Sequence, residues 1–202
     1  MENKQLTTKE SLDLITTMIG NTRRNFNNKG GTTMMVWGYV SVAVSIAVYL
    51  CVRLTLNPAF YWLWFALPVL GFTITFIISP KKRSAVRTYM DRIVDYVWLV
   101  FSIACGSVVV AYSLGALIAG RQWLNILLVI GIIMSMSVAV TGLIIKFKPT
   151  VVSGIAGIVL SLLLPAFGWA EQTLGLGIIF LLVMAVPGTM LNIVEKRGAK
   201  TF

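Results

Sequence analysis

The sequence predicts an all-α, polytopic integral membrane protein with six transmembrane helices and an amphipathic N-terminal cytoplasmic helix. Three observations carry that expectation. Hydrophobic residues make up 57% of the 202 residues and charged residues 12%, against about 25% charged in soluble domains. Six apolar runs, 34–53, 59–79, 96–118, 123–146, 150–169 and 172–193, approach the ~20 residues that a helix needs to cross ~30 Å of hydrocarbon. The 17 Lys and Arg residues divide between the two resulting sides as 15 to 2.

That division sets an expected orientation. Lys4, Lys9, Arg23, Arg24 and Lys29 precede the first run, and Lys81, Lys82, Arg83, Arg87 and Arg92 lie between the second and third. Lys146 and Lys148 lie between the fourth and fifth, and Lys196, Arg197 and Lys200 follow the sixth. Only Arg53 and Arg121 fall on the other side. Basic residues in short loops stay cytoplasmic, so both ends are expected inside, in a bacterial inner (cytoplasmic) membrane. The net charge of +10 then reads as an insertion signal with attraction to anionic headgroups, about 1 kcal/mol per basic residue near the surface. No nucleic-acid partner is expected.

The elements follow in order. Residues 1–33 form the cytoplasmic segment and hold no apolar signal-peptide core. Within them a helix is expected over 7–26. Thr7 and Glu10 have capping-box spacing, and Leu12, Ile15, Met18 and Ile19 recur at helical intervals. This face is the candidate surface for membrane, bundle or partner. Asn27 to Gly31 are expected to break the helix before the first span. Residues 80–95 read as a second amphipathic helix, capped by Ser79 and Pro80 and running into the third span. Lys81, Lys82 and Arg83 at its start are candidate anionic-lipid contacts. Residues 194–202 form a cytoplasmic tail.

Small residues mark the spans. Gly154, Gly157, Ser161, Pro165 and Gly168 follow steps of 3, 4, 4 and 3 in the fifth span. They form a candidate helix-packing or pathway stripe, because small residues let membrane helices approach closely. Span 3 has Ser102, Gly106 and Ser113, and span 4 has Gly131, Ser135 and Gly142. Pro68, Pro165 and Pro187 fall inside spans. The hexapeptide Leu67–Phe72 of span 2 is similar to Leu164–Trp169 of span 5, an arrangement that inverted repeats would produce.

Chemistry is bounded from the other direction. The chain has no His, and none of its seven acidic residues sits at the centre of a span. Intramembrane ionisable groups are the usual sign of proton relays and ion coupling. Ser–His catalysis and His-based metal or haem ligation cannot occur within a chain that lacks His, and no phosphate-loop motif is present. Cys51 and Cys105 read as packing residues at different depths. No catalytic residue, cofactor or metal is expected.

Ser11, Leu12, Ile15, Met18, Ile19, Thr22 and Arg23, with Trp37 and Gly38 opening the first span, follow the pattern S-L-x-x-I-x-x-M-I-x-x-[TA]-[RK] and then W-G. In these first 50 residues the chain resembles a group of small, uncharacterised six-span inner-membrane proteins of Bacteroidetes-type bacteria. The resemblance implies the architecture and brings no activity. The functional expectation is a non-enzymatic membrane protein acting through protein or lipid interaction, as an accessory or regulatory subunit or by self-assembly into a homo-oligomer. The alternative is a channel or carrier for an uncharged or lipophilic solute. A lipid-modifying enzyme using Asp91 or Asp95 is the weakest reading.

Overall fold

The computed structural model describes residues 8–78, 89–120 and 124–198; side chains are described from 31 to 78, 92 to 118 and 124 to 194, together with Gly120. It is all-helical among these residues. Six stretches are long and apolar enough to cross a membrane: Gly31–Thr55, Pro58–Ile78, Arg92–Ile118, Ile126–Ile145, Lys148–Ala166 and Trp169–Val194. Lys81, Lys82 and Arg83, with the Ser79–Pro80 cap, lie outside the described residues, as do Arg121 and Trp123.

Helix α1 runs from Thr8 to Thr55, 48 residues without interruption. The expected break at Asn27–Gly31 is therefore corrected. Glycine in a helix costs up to about 1 kcal/mol relative to alanine, but here it serves contact. A side chain on Gly31 would stand 3.3 Å from Leu191, so the bare backbone lets the last helix lie against α1. At ~1.5 Å per residue α1 is about 72 Å long, about twice the length of the 25-residue apolar stretch within it.

The second span opens as a 3-10 helix, Pro58–Phe65, and only then becomes α2, Ala66–Ile78. Asn57 starts it by accepting a hydrogen bond from the Ala59 amide at 2.9 Å. α3 covers Tyr89–Ala119 and α4 covers Ile126–Ile145. Lys146 closes α4 in the left-handed region, φ 55°, with its N–H on the carbonyls of Gly142 and Leu143. That cap satisfies the orphan carbonyls at a helix end and reverses the chain within two residues. α5, Lys148–Leu163, therefore returns antiparallel along α4.

The fifth span ends earlier than its apolar run. Leu164–Ala166 is a 3-10 turn, and Phe167 is extended with φ −111° and ψ 161°. Pro165 forces this, since it lacks an N–H and cannot continue the α-helical ladder. The sixth span is three pieces: α6, Trp169–Phe180; a π-helical turn, Leu181–Ala185; and α7, Val186–Gly198. Pro187 supplies no amide for the carbonyl four residues back, and the widened turn before it relieves the clash its ring would make there. The two similar hexapeptides adopt different conformations. Leu67–Phe72 is α-helical within α2, whereas Leu164–Ala166 is the 3-10 turn, so the inverted-repeat expectation finds no common local structure.

The centre of the bundle is α6 with its π-turn. α1 packs along one side of it, and α4 and α5 along the other. Met134, Val138 and Val183 are fully buried here, and Leu176 and Ile179 nearly so. α2 rests on α1, where the Trp37 ring covers Gly71 and meets Phe72 edge-on at 5.1 Å. α3 rests on α4, with Val94 buried beside Ile145 and Leu191. α2 and α3 thus flank the core and keep broad outward surfaces, including Phe72, Phe76, Val100 and Leu117.

Candidate functional site

Two seams of small residues hold the core. In the first, α4 and α5 run antiparallel and oppose glycine to a small residue at each level. Gly131 faces Ser161, Gly157 faces Ser135, Gly154 faces Ala139, and Gly142 faces the Thr150–Val151 backbone. A Cβ on Gly154 would stand 2.6 Å from the Ala139 amide nitrogen, and one on Gly142 2.7 Å from that of Val151. No rotamer change relieves contact with backbone. The second seam joins α1 to the sixth span in the same way. Gly38 lies against Ala185, where a Cβ would be 2.5 Å from the amide nitrogen, Gly188 against Met35, and Gly177 against Ser45. In a bilayer, where lipid chains are as apolar as leucine, such close approach and the dispersion contact it allows would supply much of the association.

The predicted stripe in the fifth span divides. Gly154, Gly157 and Ser161 are buried in the first seam, with Gly157 also against Val183 of the π-turn. Pro165 and Gly168 are exposed and lie beyond the end of α5. The helical periodicity that would place them on the stripe stops at Leu163. Leu12, Ile15, Met18 and Ile19 are in the helical part of α1 before the span, where the backbone alone is described.

Hydroxyl groups in the core mostly satisfy themselves. Ser161 donates to the Gly157 carbonyl at 2.7 Å, Thr141 to Ser137 at 2.8 Å, and Ser41 to Trp37 at 2.8 Å. Each uses a carbonyl of its own helix. Ser45 and Ser135 differ: both are fully buried, their hydroxyls make no hydrogen bond, and both face a glycine across a seam. Their contribution is small size at the point of closest approach.

The end of the bundle near Arg53 carries a polar latch that sequence reasoning missed. Asn125 caps α4 by accepting from the Leu128 amide at 3.1 Å, and its side-chain amide donates to Gln172 at 2.8 Å. Gln172, only 4% exposed, donates in turn to the Phe167 carbonyl at 2.8 Å. The chain of bonds ties the start of α4 to the turn between α5 and α6. A lone Gln three residues into an apolar helix was the available signal. Beside it Arg53 pairs with Glu171 at 3.4 Å, joining the end of α1 to the start of α6.

Among the described residues no group of three or more His, Cys, Asp or Glu side chains could hold a metal ion, and Cys51 and Cys105 are both free. The geometry defines a helical bundle with six stretches long and apolar enough to cross a membrane, held by close backbone contact. No family model matches the chain, and no curated protein or solved structure matches it either.

Proposed function

We propose that this chain is a non-enzymatic protein of the bacterial inner membrane that acts through contacts with protein or lipid, as an accessory or regulatory subunit or by self-assembly. The observation that carries this reading is where contact capacity remains. The two seams bring α4 against α5 and α1 against the sixth span at close approach, while α2 rests mainly on α1 and α3 mainly on α4, and both turn large apolar side chains outward. The interior is spent and the flanks are not. α1 adds a second means of contact. Its 23 residues before the span continue the same helix, so they project about 35 Å from the membrane instead of lying along it. With the expected orientation this rod stands in the cytosol.

A channel or carrier for an uncharged solute is the second reading. The π-turn and Pro187 in the sixth span favour it, because transporters build sites at interrupted helices. One experiment separates the two. The protein, purified from its host in mild detergent, is expected to retain a stoichiometric partner or a second copy. A single chain without partner that conducts glycerol or a similar uncharged solute in liposomes would replace the interaction reading with the pathway reading.

A further inference from the structure

We draw no further inference here: the strongest candidate, the outward face of α3 from the surface groove at Arg92, Asp95, Tyr96 and Leu99 to Leu117, is an exposed and largely apolar helix side, and nothing in the structure shows what covers it.

Discussion

Glycines of this protein are unequal, and what each one faces sets its value. Gly38 and Gly154 face backbone nitrogen at 2.5 and 2.6 Å from a Cβ position. Gly38→Ala and Gly154→Ala are expected to lower stability in an SDS-titration unfolding assay by about 1–3 kcal/mol, the usual cost of overpacking. Gly106→Ala, facing open space, should stay within about 0.5 kcal/mol of the parent. Equal losses at all three would show that helix propensity, not contact, dominates. The Gln172 latch makes a sharper claim. Gln172→Ala leaves the half-buried Asn125 amide without its acceptor, so a loss of roughly 1 kcal/mol is expected. Adding Asn125→Ala should cost much less than the sum of the single losses, as groups in one network do. Strict additivity would mean that the two amides act separately. Gly154, Gly157 and Ser161 were legible because small residues at helical spacing carry contact information even in lipid. Asn125 and Gln172 were not, because their partnership spans 47 positions and neither stands in a recognisable motif.

At the scale of elements, apolar length was legible and local winding was not. The fifth and sixth spans were readable as runs of suitable length, yet the end of α5 at Leu163 and the π-turn at Leu181–Ala185 depend on which carbonyls lose a donor at Pro165 and Pro187. Hydropathy contains no trace of that. The Asn-Gly stretch before the first span misled for the opposite reason. Its residues favour a break locally, but contact of Gly31 with Leu191 rewards continuity. The continuous helix has a measurable length. Spin labels at Ser11→Cys and Ala47→Cys, in a chain with both native cysteines replaced, should lie about 54 Å apart at ~1.5 Å per residue. A distribution centred below 40 Å would mean that α1 bends at Asn27–Gly31 after all.

For the whole molecule, the number of spans was legible and their arrangement was not. Hydrocarbon thickness dictates helix length, so six runs imply six helices. Which helix touches which cannot be read from apolarity, because lipid and protein neighbours ask for the same residues. That α1 packs with the sixth span, and that α2 and α3 stand at the flanks, follows from which small residues meet and leaves no mark in hydropathy. Orientation has its own test. Reporter fusions after residues 56 and 121 should read as external, and those after 85 and at 202 as cytoplasmic, following the 15-to-2 division of basic residues. A cytoplasmic signal after residue 56 would reverse the molecule.

The seam between α1 and the sixth span also has a history in time. Gly38 and Ser45 belong to a helix completed by residue 55, whereas the residues that cover them begin at Trp169. At translation rates of about 5–20 residues per second, the first helix waits on the order of ten seconds for its match. If the helices enter a bilayer as they are made, the glycine face of α1 is bare for that interval. A ribosome stalled before Trp169 would leave α4 and α5 able to pair and the seam of α1 unmade. Such a fragment, and not the finished bundle, is the form that membrane quality control would meet with this surface open.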